Sequence, residues 1–187
     1  MNRFWNIILA IIAAILLAWF YTLNQPQPLQ LASDLNAPEY IGKNMRTTVY
    51  SPNGSIQYVA SATAVKYYAK TEQTIFEKPL VYIYEMNNGQ ILKSWVLKAD
   101  KAILNKKNDL LLNGNVRIQN LTPDAKLEKI ETEQAEVNLT TQDITSDTIA
   151  SIIGQNFVTS GKKLIGNLRT KTAILKEQVK TSYEIKP

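Results

Sequence analysis

The chain has 187 residues, 45% of them apolar, and 21 Lys and Arg against 16 Asp and Glu give a formal charge of +5. It contains neither cysteine nor histidine, which excludes disulfides, Cys/His zinc sites and every nucleophile that relies on a histidine base. The cations are spread thinly and form no run, which argues against a nucleic-acid partner.

Apolar residues crowd the start. Residues 4–23 read FWNIILAIIAAILLAWFYTL, with only Asn6 and Thr22 clearly polar. A helix of that length is about 30 Å long, the thickness of the hydrocarbon core of a bilayer. Trp5 lies near one end and Trp19 and Tyr21 near the other, where amphipathic rings favour the membrane interface. A cleaved signal peptide is the competing reading, but the run exceeds the usual h-region of roughly 7–15 residues and no A-x-A site closes it. The segment is therefore expected to be an uncleaved transmembrane signal anchor behind a cytoplasmic start of residues 1–3. Arg3 and the amino terminus are cationic, and the next cation is Lys43. The positive-inside bias then leaves the N-terminus in the cytoplasm and exports everything after the span. Residues 24–39 hold three prolines and are expected to form an extended tether.

From residue 40 to 187 the dominant period is two. Ile56, Tyr58, Ala60, Ala62 and Ala64 share one strand face, as do Leu80, Tyr82, Tyr84 and Met86. Trp95, Leu97 and Ala99 alternate with polar residues, as do Val116 and Ile118, and later Val179, Thr181, Tyr183 and Ile185. Each pattern is that of a half-buried strand. Turn signals separate them at Pro52-Asn53-Gly54, Asn87-Asn88-Gly89, Asn105-Lys106-Lys107-Asn108, Asn113-Gly114-Asn115 and Ser160-Gly161. No apolar stripe of helical period follows residue 40, so the domain is expected to be all-β. The first confident strand is expected after Met45, and the last is expected to run over 176–185.

A weak repeat aligns Ala64, Ala102, Ala135 and Ala173 at spacings of 38, 33 and 38 residues, as in a stack of hairpins that folds over into two facing sheets. The alanines either leave space between the sheets or let them pack closely. Catalytic chemistry is missing. Glu128, Glu131, Glu133 and Glu136 stand beside Lys126 and Lys129 as a solvated face, and no phosphate loop or nucleophile motif occurs. No enzyme activity, metal or cofactor is expected.

Several segments together resemble the LptC family, the membrane-anchored periplasmic subunits of the lipopolysaccharide transport machinery. They are Val49-Tyr50-Ser51-Pro52-Asn53-Gly54, the run Trp95-Val96-Leu97-Lys98-Ala99-Asp100-Lys101-Ala102, Leu139-Thr140-Thr141-Gln142-Asp143-Ile144-Thr145-Ser146, Gly166-Asn167-Leu168-Arg169 and Thr181-Ser182-Tyr183-Glu184-Ile185. The resemblance implies a twisted antiparallel β-jellyroll of two facing sheets, open along one side, anchored in the inner membrane. It implies receipt of lipopolysaccharide from the ATP-driven extractor LptB, LptF and LptG, and delivery to the periplasmic jellyroll LptA. It places Met45, Phe76, Ala173 and Tyr183 on the lipid path and Gly154 at the docking contact with the extractor, which engages the N-terminal sheet edge. Gly154 also has a purely structural explanation, a bulge or turn that needs glycine's freedom. The C-terminal edge, with Val179, Thr181, Tyr183 and Ile185, would pair with LptA. A second function remains open: a membrane-anchored adaptor that recruits partners through its sheet edges and carries no lipid.

Overall fold

The computed structural model describes residues 2–23, 37–87 and 89–183, with helix side chains described at Trp5, Ile7 and 11–20. The chain divides into two units, Met1–Asp34 and Leu35–Pro187. The first holds α1 (Asn2–Leu23), a run free of acidic residues in its first turn and of basic residues in its last. Its described side chains are all exposed, Trp5, Trp19 and Phe20 among them. Among the described residues no helix is long and apolar enough to cross a membrane.

The second unit is all-β, as the period-two pattern predicts. Its strands are β1 (Tyr40–Tyr50), β2 (Ile56–Tyr68), β3 (Gln73–Glu77), β4 (Leu80–Asn87), β5 (Gln90–Lys98) and β6 (Lys101–Leu104), then β7 (Asp109–Asn120), β8 (Leu127–Asn138), β9 (Asp143–Ser146), β10 (Ala150–Gly154), β11 (Phe157–Asn167) and β12 (Thr172–Tyr183). All neighbours are antiparallel. Long strands pass through two layers and short ones belong to one. One half of β7 pairs with β6 and the other with β5, while β8 runs beside both halves. In the same way β2 divides between β3 and β4, and β11 between β9 and β10. One layer therefore reads β1-β2-β4-β5-β7-β8-β10-β11-β12 and the other β1-β2-β3-β6-β7-β8-β9-β11-β12. This is the expected jellyroll-like arrangement of two facing sheets. Only β2 pairs with β1 and only β11 with β12 among the described residues, so both edges are bonded on one side alone.

A strand that crosses between layers must bend and turn its side chains over, and a bulge does both. Asn44, Asn115, Lys163 and Gln178 take left-handed φ values of 49–54° in the middle of β1, β7, β11 and β12. This corrects two expectations. Asn113-Gly114-Asn115 and Ser160-Gly161 are not turns but corners inside β7 and β11, where the register shifts. At the first corner Gly114 has φ 78° and no room for a Cβ beside Asp100. The Asp100 N–H donates to the Gly114 carbonyl at 2.9 Å, and the Asn115 amide donates to the Asp100 carboxylate at 2.7 Å.

The core lies between the layers. Leu97, Ile118, Ile130 and Ile152 of one layer and Ala102, Leu112, Val137, Ile144 and Leu164 of the other form a single buried cluster. Trp95 belongs to it, fully buried, and donates its indole N–H to the Leu168 carbonyl at 2.8 Å. The first alternation in β4 inverts the expected face, because Val81 and Ile83 are buried while Tyr82 and Tyr84 are partly exposed and Met86 is exposed. Both faces of that strand are apolar, so periodicity does not choose between them. Met45 lies within β1 and not before the first strand, and the last strand starts at Thr172, four residues before the expected position.

Candidate functional site

The interior opens beside the β1–β2 edge. A cleft of about 180 Å³ is lined by Tyr40, Met45, Ala62, Val65, Thr74 and Phe76. A deeper one of about 80 Å³ shares Thr47, Ala60, Ser61 and Phe76 with it and reaches Tyr58, Val81 and Leu110. Burial raises the Tyr58 phenol above its ordinary pKa, so the inner cleft is an apolar environment. The sequence-predicted Met45 and Phe76 thus meet in one place. Met45 is 36% exposed and Phe76 packs against the core. Tyr58 and Ala60 line the same space, and their even spacing in β2 already marks them.

Ala173 and Tyr183 do not join them. Ala173 is half-buried and opposes Gly166, whose absent Cβ leaves room for the Thr172 carbonyl and Ala173 itself. Tyr183 is 75% exposed and pairs with Phe157 in the other half of β12. The alanine column also separates. Ala102 and Ala135 are fully buried on either side of Leu112, where they permit close packing. Ala64 shares a register with Lys43 and Glu77 on the other face. The residue equivalent to Ala102 and Ala135 on the next long strand is Leu164, three positions before Asn167 as they are before Asn105 and Asn138.

On the C-terminal edge Val179, Thr181 and Tyr183 are exposed, and Thr181 shares a hydrogen bond with Thr159 at 3.0 Å. Ile185 lies outside the described residues. Lys163 on β11 bonds Glu177 on β12 at 2.5 Å, which raises the lysine pKa.

Gly154 closes the β10–β11 hairpin opposite Phe157. Its φ is not left-handed, so backbone freedom is not the reason for glycine. A Cβ there would collide with the Phe157 ring and the Lys126 carbonyl; space is the reason, at the point where the register with β8 shifts. Ile153 and Gln155 line a polar recess of about 460 Å³ with Gln119, Asn120, Glu128 and Lys129. Gly154 is separated from β1 by five strands of its layer, so it and the N-terminal edge are distinct surfaces.

Of the segments that carry the resemblance, those at 49–54, 139–146 and 166–169 are scaffold. Ser51 closes the β1–β2 turn with Asn53 and Ser55. Leu139 and Leu168 are buried under their turns. Arg169 donates to the Thr140 carbonyl at 3.0 Å, and the Asp143 carboxylate accepts from Thr141 and Asn167 at 2.6 and 2.7 Å. These contacts hold the Asp143 pKa below its ordinary value, Thr141 first and Asn167 second. Asp109 is lowered likewise by Asn105 and Asn138. Among the described residues no group of three or more acidic side chains could hold a metal. Glu131 instead pairs with Lys129 at 3.0 Å and Arg117 at 3.5 Å.

The family model described as "Lipopolysaccharide-assembly, LptC-related" matches residues 7–184. The lipopolysaccharide export system protein LptC of Haemophilus influenzae is 48% identical, over 99% of this chain and 96% of its own length. The proteins of that name from Escherichia coli K12 and Shigella flexneri are each 36% identical, over 98% of this chain and 94% of their own. By near-complete coverage at these identities, the chain belongs to the LptC-related lipopolysaccharide-assembly family.

Proposed function

We propose that this protein carries lipopolysaccharide out of the inner membrane as a non-catalytic conduit. The observation that supports it most is the 48% identity, over 99% of the chain, to a relative named for lipopolysaccharide export. In this reading α1 is an uncleaved anchor whose N-terminus stays in the cytoplasm, with the β unit in the periplasm. The apolar 4–23 run, and the lack of any charge between Arg3 and Asp34, support that orientation.

The transport problem is one of solvation. Each CH2 moved into water costs about 0.8 kcal/mol, so one acyl chain of about a dozen carbons costs on the order of 10 kcal/mol. An apolar path between two sheets removes that barrier and leaves the sugars wet. The chain would accept lipid from the ATP-driven extractor of LptB, LptF and LptG through the cleft at Met45 and Phe76. It would pass lipid along Ala173 and Tyr183 to LptA, paired at β12. Gly154 and the adjoining recess would dock the extractor.

A second reading has its own support. The centre between the layers is sealed by Trp95, Leu112 and Ile130, and each cleft is smaller than the roughly 300–1,000 Å³ of ordinary ligand pockets. An anchored adaptor that joins partners through its edges needs no path at all. Photocrosslinkers at positions 45, 76, 173 and 183, in membranes making lipopolysaccharide, separate the two. Lipid adducts at these positions, and none at the outward Lys101, are expected of the conduit. Their absence from all four, with partner binding retained, would leave the adaptor.

A further inference from the structure

Three hairpin turns along one rim, joining β6 to β7, β8 to β9 and β11 to β12, interlock through one repeated set of hydrogen bonds. Each turn has a non-glycine residue in the left-handed region just before its outgoing strand: Asn108 (φ 62°), Gln142 (66°) and Lys171 (56°). In the first interlock the Asn138 amide donates to the Asp109 carboxylate at 2.7 Å and the Lys107 carbonyl at 3.4 Å. The Leu139 N–H donates to the Asn108 carbonyl at 2.9 Å. In the second, the Asn167 amide donates to the Asp143 carboxylate at 2.7 Å and the Thr141 carbonyl at 3.1 Å. The Leu168 N–H donates to the Gln142 carbonyl at 2.8 Å.

In both interlocks the shared donors, the asparagine amide and the next backbone N–H, come from the later turn and their acceptors from the earlier one; the reverse bond from the Asn108 amide to the Thr140 hydroxyl at 3.3 Å occurs in the first alone. The ladder therefore has a direction, and at the β11–β12 turn it ends on an acceptor set. The equivalent atoms are the carbonyls of Thr170 and Lys171 and the Thr172 hydroxyl oxygen. Among the described residues no donor reaches either carbonyl. The Thr170 and Thr172 hydroxyls bond each other at 2.8 Å, as Thr141 bonds Asp143 at 2.6 Å, so the turn is already in the shape that the earlier one uses.

We propose that this open rung sets the register of the next chain in the sheet. Its occupant is a hairpin turn of a partner β-jellyroll that begins with asparagine and offers a free backbone N–H at the following residue. The proposal rests on the pairing of β12 with such a partner and adds to it the contact that fixes alignment. Backbone pairing alone leaves a strand able to slip, and a slip of one residue turns its path-facing side chains outward. A second copy of this chain does not fit the rung. Both of its Asn-Leu turns already commit these donors, and the Asn105 amide is held by the carboxylate of its own turn, Asp109, at 3.0 Å.

The test uses the full chain in detergent, with the soluble periplasmic jellyroll of the same organism titrated against it. Thr172→Asp copies Asp109 and Asp143 and is expected to tighten binding about three- to tenfold; Thr172→Val, which removes the hydroxyl, is expected to weaken it by a similar factor. Thr172 is exposed, and an unchanged unfolding temperature controls for the fold. A photocrosslinker at Lys171 should capture a turn of the partner that starts with asparagine. Deletion of residues 176–187 with full binding retained would overturn the β12 pairing itself. If that deletion abolishes binding but both Thr172 variants bind as the parent does, the rung is refuted and the pairing stands. Tighter self-association of Thr172→Asp without tighter partner binding would refute the occupant.

Discussion

Replacing Gly154 by alanine isolates a steric cost from a conformational one. The Gly154 backbone lies outside the left-handed region, so alanine adopts it without strain. Its Cβ would stand 2.5 Å from the Lys126 carbonyl oxygen and closer still to the Phe157 ring. Ordinary contact needs nearly 1 Å more, and one of the two obstacles is backbone that leads directly into β8. Overpacking of this kind costs about 1–3 kcal/mol, or roughly 2–12 °C in unfolding temperature for a domain of this size. Gly54→Ala is the control, with φ 82° and nothing within 4 Å of the added carbon; it meets only the left-handed penalty of about 1–2 kcal/mol. Phe157 packs against the core, so Phe157→Leu has a cost of its own; that cost should be smaller beside Gly154→Ala, where it removes the ring but not the carbonyl, than in the parent or beside Gly54→Ala. Urea unfolding of the detergent-solubilised chain measures all these variants. Equal stability of Gly154→Ala and the parent, or no coupling to Phe157, would refute the steric account. If Gly154 docks the extractor through the shape of this hairpin, Gly154→Ala should also weaken capture of the transporter, and Phe157→Leu should restore part of it.

Trp95→Phe should cost about 1–3 kcal/mol, because the Leu168 carbonyl loses its buried donor; unchanged urea unfolding would show that the tie contributes nothing. Asp109 and Asp143 have folded pKa values below their ordinary 3.8, so their contribution is complete above that value and is lost as pH falls through the folded one. Stability should be level from neutral pH to about 5 and decline below about 4, more gently in Asp109→Asn; parallel curves for variant and parent would exclude the ladder as the cause. Ala173→Trp should suppress lipid crosslinking from position 183 while the domain stays folded, because β12 is an edge and the bulk falls where the proposed path leaves the molecule; undiminished crosslinking would remove Ala173 from that path.

The alternation of Val116 and Ile118 makes the second half of β7 legible from sequence, and the tip at Pro52-Asn53-Gly54 is a turn as its residues require. What misleads is a strand that belongs to two layers. Asn113-Gly114-Asn115 has the composition of a hairpin, but Asp100 holds it as a corner, and that contact joins residues far apart in the chain. β4 is ambiguous because Tyr82 and Tyr84 present large apolar rings on the face opposite the buried Val81 and Ile83. The alanine repeat holds for Ala102 and Ala135, each three residues before a turn asparagine, and fails at Ala173, which follows its turn. The Asn-Leu pairs at 138 and 167 carried the better signal. Their spacing to Asp143 and Thr172 is the same, and it fixes the rim. The clefts at Met45 and Phe76 depend on how far two layers stand apart, a distance that no local pattern encodes.

Long strands shared between two layers also decide how damage and growth travel. Every strand bonds to strands no more than three places from it in the chain order, so the domain resembles a one-dimensional array in which each added hairpin contributes its own increment. Amide exchange should then be graded, fastest in β1 and β12, which have one neighbour each, and slowest in β7 and β8. A break at one end need not spread to the other. If the proposed pairing at β12 holds, the same property would let a strand from another chain enter there as one more increment, and a filament of such domains would lengthen without any member refolding.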